Sequence, residues 1–407
     1  MAEKVNSARP HPTNLINMKK LLPALLPLLL LTQSFTWTPV DKSWDRGLGT
    51  HRVIVKVDTA GEAAKASLEW RRRDVNPEAK GITIIDLKTG KPVDNVLKPA
   101  ITAERGEIVF QPTSGPGEYA VYFLPVSIGG GAFPTSKYKP AEYAPEAAWA
   151  AGPATTPVPA APVRWEALSA MDGWNEMEII ATAAETEAAA AKARGGMRTA
   201  LVDAASSIRM FDRLPAAFAD DARWTAPLTV EVRPGGVAMF QVMVWAATAE
   251  LKDVRVSAAK NAPGFTCLTT HGIDWLGRPF TKTYDLPLGR VQPFWCMVSA
   301  PADAAPGEIK TEIFTAAATA QPQSLPLTIQ VVAKTSTPQD DTDPQSMSRL
   351  RWLNSTTAVD DEPAKGYPPL KVSGRTIACL GREVELGADG LPVRISSFFN
   401  PAVTRIG

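Results

Sequence analysis

Apolar and polar residues alternate in many short runs along this chain, and a period of two predicts β-strands rather than helices. The run from Val237 to Trp245 is apolar at nearly every position, among the odd-numbered residues as well as the even-numbered ones. Because successive side chains of a strand point to opposite faces of its sheet, this run predicts a strand packed on at least one face. Similar runs recur over residues 51–126 and 208–333, and they predict two separate β-sandwiches of immunoglobulin-like size.

The amino-acid composition changes between these two regions. Residues 127–163 contain "GGGAFP" and "KPAEYAPEAAWAAGPATTPVPAAP", and this Pro/Ala-rich composition is typical of a linker with few side chains to bury. Strong helix formers come next and end at a Gly pair, which predicts one helix from about Glu176 to Ala193.

A third β region follows a polar stretch. "ELGADGLPVRI" predicts a hairpin that turns at Asp389 and Gly390. A block of roughly 60 residues with few strands is marginal by itself, so we expect the third region to be the truncated start of a further domain.

In the second region, "PGEIKTEIF" predicts a tight turn in which Gly307 takes a conformation that a Cβ would disfavour.

The expected fold class is therefore mainly β, with tandem β-sandwich (immunoglobulin-like) domains, a Pro/Ala-rich linker with one helix, and the start of a third β domain. The expected divisions are a signal peptide region (1–36), a first β-sandwich (37–135), the linker and helix (136–200), a second β-sandwich (201–336) and the further β domain (337–407).

The first residues have the pattern of an export signal. Two lysines follow Met18, where we hypothesise that the protein begins. The apolar run Leu21 to Leu31 is shorter than the ~20 residues that span a bilayer. A short buried helix is the alternative, but Pro23 and Pro27 would interrupt it. We expect a secreted or periplasmic protein with no membrane span after signal removal.

The composition bears on two questions, namely whether the protein binds nucleic acid and whether disulfide bonds hold it together. Lys and Arg number 43 and Asp and Glu 42, so the chain lacks the basic excess that nucleic-acid binding requires. The three cysteines are too few for a disulfide framework. Cys267 and Cys296 lie in apolar runs, where either a disulfide between them or a pair of buried thiols is consistent with the pattern.

One segment offers candidate binding chemistry. His271, Asp274, Trp275 and Arg278 fall within "HGIDWLGRP", where an aromatic ring and polar groups would form a carbohydrate-binding platform. The alternative is a structural turn whose Trp275 fills the end of the sandwich. With three histidines in the chain and no cysteine or histidine partner nearby, we expect neither a metal site nor a cofactor.

Catalytic residues are not evident. An active site that uses a pair of carboxyl groups needs them on opposite sides of a cleft, whereas Asp360, Asp361 and Glu362 are adjacent and would point in alternating directions on a strand. A solvated loop or a calcium-binding corner are the alternatives for these acids. The cluster "WRRRD" at 70–74 is typical of a solvated strand face rather than a binding patch.

Several segments resemble a known family. "SIRMFDRLP", "LRWLNSTTAVDDEP" and "LGREVELGADGLP" resemble the N-terminal, non-catalytic region of secreted bacterial proteins related to glycoside hydrolase family 123. The resemblance covers roughly residues 175–399 and gives nothing for 38–135. It places the family's N-terminal-like sandwich at 201–336 and implies a parent protein that is a glycoside hydrolase, with its catalytic residues in a (β/α)-barrel that this chain lacks.

Two functional hypotheses follow. The first is a non-catalytic β-sandwich region that supports a carbohydrate-active catalytic barrel. The alternative is a stand-alone secreted module that binds carbohydrate or protein. Carbohydrate is the expected partner in the first hypothesis, and the sequence does not identify the sugar or the oligomeric state.

Overall fold

The computed structural model of the protein describes residues 37–40, 44–141, 143–333, 362–363 and 367–399. All of them belong to the compact unit Thr36–Gly407. Short strands predominate over helices in these ranges, which confirms the mainly β fold class. None of the helices in the described ranges has the length and apolar character needed to cross a membrane. The predicted signal segment and Asp360 and Asp361 lie outside the described residues.

The strands of the first block run from Trp37 to Ala167. They are β1 (Trp37–Pro39), β2 (His51–Val57), β3 (Ala64–Leu68), β4 (Thr83–Asp86), β5 (Val96–Ile101), β6 (Gly106–Phe110), β7 (Gly117–Tyr122), β8 (Val126–Gly129), β9 (Thr135–Tyr138) and β10 (Val158–Ala167). Eight of these strands form one sheet in the order β4-β7-β2-β10-β3-β6-β5, with β1 paired to β10, while β8 and β9 form a separate hairpin.

Strand β10 corrects the predicted linker, because it is a central strand of the first sheet. It pairs antiparallel with β2 and parallel with β3. Pro162 lies at a shift of register against β2, the kind of irregular position where a strand tolerates a residue without an N–H group. The first block therefore extends to Ala167 and does not end at residue 135.

The core of the first block comes from one face of this sheet. Alternate residues of β2, namely Val53, Val55 and Val57, share a buried cluster with side chains from β3, β4, β5, β6, β7 and β10. The predicted linker also adds to the packing, since the buried Trp149 donates its indole N–H to the Glu62 carbonyl at 2.8 Å. The burial of these side chains ties the Pro/Ala-rich stretch to the first block.

The strands of the second block run from Met197 to Val331. They are β11 (Met197–Asp203), β12 (Leu228–Val232), β13 (Val237–Ala246), β14 (Leu251–Ala258), β15 (Thr266–Cys267), β16 (His271–Ile273), β17 (Pro279–Thr281), β18 (Tyr284–Leu286), β19 (Val291–Ser299), β20 (Gly307–Ala317) and β21 (Ala320–Val331).

These strands form a β-sandwich, as the sequence predicts. One sheet has the order β11-β13-β19-β15 and the other β12-β21-β20-β14-β18, while β16 and β17 form a hairpin of their own. Inner-face residues of both sheets, among them Phe240 and Ile313, share one buried cluster. On β13 the opposite face places Met243 and Trp245 in a second cluster. This double burial explains why the strand is almost continuously apolar.

The helices are short. They are α1 (Ala147–Ala151), α2 (Ala183–Ala190) and α3 (Ala222–Thr225), with 3₁₀ turns at Arg46–Leu48, Pro77–Ala79, Pro153–Thr155 and Ala216–Phe218. The helix predicted from Glu176 to Ala193 is therefore much shorter than expected. The Thr182 hydroxyl accepts a hydrogen bond from the Glu185 N–H, and the Glu185 carboxylate accepts one from the Thr182 N–H. This capping box fixes where α2 begins.

The third β region is a four-stranded antiparallel sheet. Its strands are β22 (Lys371–Ser373), β23 (Thr376–Cys379), β24 (Arg382–Leu386) and β25 (Pro392–Ser397), paired in that order. The predicted hairpin at Asp389 and Gly390 is confirmed, since Gly390 has a φ of +81° in the turn between β24 and β25. The expectation for Gly307 is wrong, because Gly307 opens β20 opposite Val331 with space around it for a Cβ.

Cys267 and Cys296 occupy directly opposite positions on β15 and β19. Both are buried free thiols. A hydrogen bond from Cys296 is the main cause that lowers the pKa of Cys267 to about 7, whereas burial raises the pKa of Cys296. Of the two alternatives left open by the sequence, the structure has the pair of buried thiols.

Candidate functional site

The four residues predicted as a carbohydrate platform lie together on the β16–β17 hairpin. The Asp274 carboxylate organises the turn: its Oδ1 accepts the N–H groups of Leu276 at 2.9 Å and Arg278 at 2.8 Å. Its Oδ2 accepts the Arg278 Nε at 3.0 Å. The backbone hydrogen bond from Arg278 is the main cause that lowers the pKa of Asp274. The carboxylate is therefore ionised and largely engaged within the turn itself.

Trp275 occupies the tip of this hairpin and is 89% exposed. The alternative in which Trp275 fills the end of the sandwich is therefore wrong. His271 is exposed at the start of β16, opposite Thr281, and its Nδ1 lies 2.8 Å from the Thr270 hydroxyl. The hairpin thus offers one free aromatic face, with its acid and its arginine committed mainly to each other.

The cluster "WRRRD" is not the solvated strand face that the sequence predicts. The side chains of Trp70 and Arg72 are fully buried. The Arg72 guanidinium donates two bonds to the Asp74 carboxylate, at 2.6 and 2.7 Å, and one to the Phe123 carbonyl at 3.1 Å. Lys80 also pairs with Asp74. These contacts make a buried charged network within the loop that follows Leu68.

Arg71 joins the first block to helix α2. Its guanidinium forms two parallel hydrogen bonds with the Glu185 carboxylate, at 2.8 and 2.9 Å. Glu185 is also the capping-box residue of α2, and the Ile180 N–H donates to the Arg71 carbonyl at 3.0 Å. Two-pronged pairing of arginine with carboxylate fixes orientation as well as distance, so this pair sets how the first sheet meets α2.

A groove of about 970 Å³ opens beside this junction. Its lining comes from five stretches that are distant in sequence: Arg46 to His51, Arg73 to Lys80, Leu124 to Tyr138, Leu168 to Glu178, and Arg209 to Asp212. The second of these stretches rests on the Arg72 and Asp74 network. Because no single stretch supplies the site, sequence patterns alone gave no signal for it.

His51 holds one wall of the groove in place. Its Nε2 lies 2.6 Å from the Asp172 carbonyl, which can only accept, and its Nδ1 lies 3.0 Å from the Thr50 hydroxyl. The ring also packs against Trp174, with centroids 4.1 Å apart. Burial lowers the pKa of His51. Both ring nitrogens have hydrogen-bond partners, so His51 ties the Asp172 carbonyl to the start of β2.

Several polar groups of the groove are held by neighbouring side chains. Asp74 is held by Arg72 and Lys80, and His51 is held by its own partners. The lining contains charged, polar and apolar side chains. Small-molecule sites are concave and combine apolar side chains with placed polar groups, which makes this groove the candidate site.

Comparison with known proteins identifies related domains in two parts of the chain. Residues 42–169 match the profile described as "Glycoside hydrolase 123, N-terminal domain", and residues 370–407 match "Glycoside hydrolase 123, third domain". The N-terminal match falls on the first block, for which the sequence resemblance gave nothing, rather than on 201–336. The chain is therefore related to glycoside hydrolase family 123 and contains non-catalytic domains of that architecture. No curated protein matches the chain.

Two solved structures show distant similarity to parts of the chain. A family 123 glycoside hydrolase from Clostridium perfringens matches 35% of this chain at 10% identity and a TM-score of 0.24. The SrpA adhesin of Streptococcus sanguinis matches 42% of this chain and 90% of its own at 14% identity and a TM-score of 0.18. The match spans 28% of the length of the C. perfringens enzyme.

Proposed function

We propose that this chain, related to glycoside hydrolase family 123, is the exported non-catalytic β region of a carbohydrate-active protein. The observation that carries the proposal is the presence of two domains of one glycoside hydrolase architecture, in order, at 42–169 and 370–407. The role of the region is to support a catalytic domain and to bind glycan near it.

The contacts between the blocks support a scaffold role. The Arg71 and Glu185 pair joins the first sheet to α2, and α2 in turn packs through Ala189 on the outer face of β13. A chain of packed elements therefore runs from the first sheet to the sandwich. A rigid arrangement of this kind would hold a neighbouring domain in a fixed position.

Two experiments test the proposal. The first measures release of nitrophenol from aryl glycosides by the purified chain, for which we expect no turnover. The second joins residues 18–36 to alkaline phosphatase, an enzyme that is active only after export. Phosphatase activity that disappears in Leu26→Arg is the expected result, since a charge disrupts the apolar core of a signal. Turnover in the first assay, or an inactive fusion in the second, would contradict the proposal.

A further inference from the structure

The groove beside the Arg71 junction has the properties of a ligand site that is already formed. Asp74 is fixed from two sides by Arg72 and Lys80, and the Asp172 carbonyl is fixed by His51. These contacts anchor two of its walls through partly buried hydrogen bonds. A site whose walls are ordered before binding loses little conformational entropy when a ligand enters.

The rim of the groove exposes several large apolar side chains. Met171 is 97% exposed and Val75 is 70% exposed, and Ile128 and Tyr138 are also among the exposed large apolar residues. Lys80 Nζ lies 4.4 Å from the centroid of the Tyr138 ring, which holds that ring in place. Exposed apolar side chains gathered around one concavity mark a binding surface.

Polar groups without partners lie among these apolar side chains. Within the described part of the chain, Arg46, Arg73 and Asp212 make neither an ion pair nor a side-chain hydrogen bond, although all three line the groove. They supply both donors and acceptors. The lining as a whole holds four basic and four acidic side chains, so its charge is balanced and it has no attraction for a polyanion.

We propose that this groove binds a neutral oligosaccharide. A sugar ring presents apolar C–H groups on its faces, which suit Met171 and Tyr138, and hydroxyls around its edge, which suit Arg73 and Asp212. The volume of about 970 Å³ lies at the upper end of the roughly 300–1,000 Å³ usual for ligand sites. The groove therefore has room for a segment of more than one sugar. The inference deepens the proposed function and rests on it, since that function includes glycan binding.

The test uses the full chain on an array of neutral, hexosamine-containing and acidic oligosaccharides, followed by saturation-transfer NMR with the bound glycans and with chitotriose. We expect neutral glycans to bind. Arg73→Ala and Tyr138→Ala should each weaken binding at least about tenfold. The matched controls are Arg105→Ala, an exposed arginine of the same block, and Phe133→Ala, an exposed aromatic of the same hairpin. Both controls should stay within about twofold of the parent chain.

A further variant, Trp275→Ala, separates this inference from the proposed function. If Trp275→Ala abolishes glycan binding and the groove variants do not, the site is on the β16–β17 hairpin, and the inference is wrong while the proposed function stands. If no glycan binds in either format, or only acidic glycans bind, the inference is overturned. The export and turnover assays then judge the rest of the proposed function independently. An unchanged melting temperature in each variant ensures that lost binding is not lost folding.

Discussion

Replacing Arg72 by methionine tests whether the buried charged network holds the first block together. Arg72 is fully buried and makes three hydrogen bonds, two with Asp74 and one with the Phe123 carbonyl. Its guanidinium also lies 5.1 Å from the Trp70 ring centroid. Methionine has a similar length and fills much of the same space, so the substitution removes charge and hydrogen bonds with little loss of volume.

The expected cost follows from what Arg72→Met leaves behind. Removing one partner of a buried ion pair costs about 3–5 kcal/mol, because the remaining charge loses its compensation. Asp74 keeps Lys80 as a partner, and its side chain is 14% exposed, so the lower end of that range applies. We expect the free energy of unfolding to fall by about 3 kcal/mol at neutral pH.

The pH dependence of this difference can be derived from Asp74. Burial acts to raise the pKa of Asp74, but the hydrogen bonds and charges of Arg72 and Lys80 outweigh it and lower the pKa. A carboxyl group with a lowered pKa stabilises the fold above its unfolded pKa, and this contribution is lost as the pH falls through the folded pKa. The difference between parent and Arg72→Met should therefore narrow below about pH 4, the unfolded pKa of an aspartate.

Urea unfolding followed by tryptophan fluorescence at neutral and acidic pH measures this difference. The matched control is Arg73→Met, which changes the adjacent, exposed arginine and should alter stability by no more than about 0.5 kcal/mol. A loss in Arg72→Met no larger than that in Arg73→Met would refute the reasoning. A difference that widened on acidification would show that Asp74 is not the group concerned.

Three further substitutions test packing and hydrogen bonding in the two blocks. Gly106→Ala should lower the free energy of unfolding by about 1–3 kcal/mol, because a Cβ there would meet the Trp70 ring at 2.1 Å. Gly307→Ala has open space around it and should leave the free energy of unfolding unchanged. Thermal melts of both variants measure the two effects, and equal losses of stability at the two sites would contradict the expected clash with Trp70. Gln241→Leu should cost about 1–3 kcal/mol by calorimetry, since the buried amide accepts from the Ile208 N–H at 3.0 Å and donates to the Asp203 carbonyl at 2.9 Å. A variant as stable as the parent would show that these bonds add nothing.

The sequence predicted the second sandwich well because its strands have a strong local pattern. The alternation in β13 sends Phe240 to the core between the sheets and Trp245 to the cluster under the helices. Asp389 and Gly390 gave the β24–β25 turn because positive φ at a glycine is a local property. In both cases the information lies within about ten residues of chain.

The errors have physical causes as well. Strand β10 was missed because Pro159 and Pro162 normally exclude a central strand, yet one lies in the short pairing with β3 and the other at a shift of register. The start of α2 was misplaced although Thr182 and Glu185 have the spacing of a capping box. The groove was missed because its walls come from segments that only the tertiary fold brings together.

Mass spectrometry tests most directly whether the chain binds glycans without cleaving them. The full chain is incubated with the neutral oligosaccharides that it binds, and the mixture is analysed over time. The account of a non-catalytic, glycan-binding β region predicts that each glycan is bound and recovered intact. Shorter products that accumulate with time and with protein concentration would contradict it.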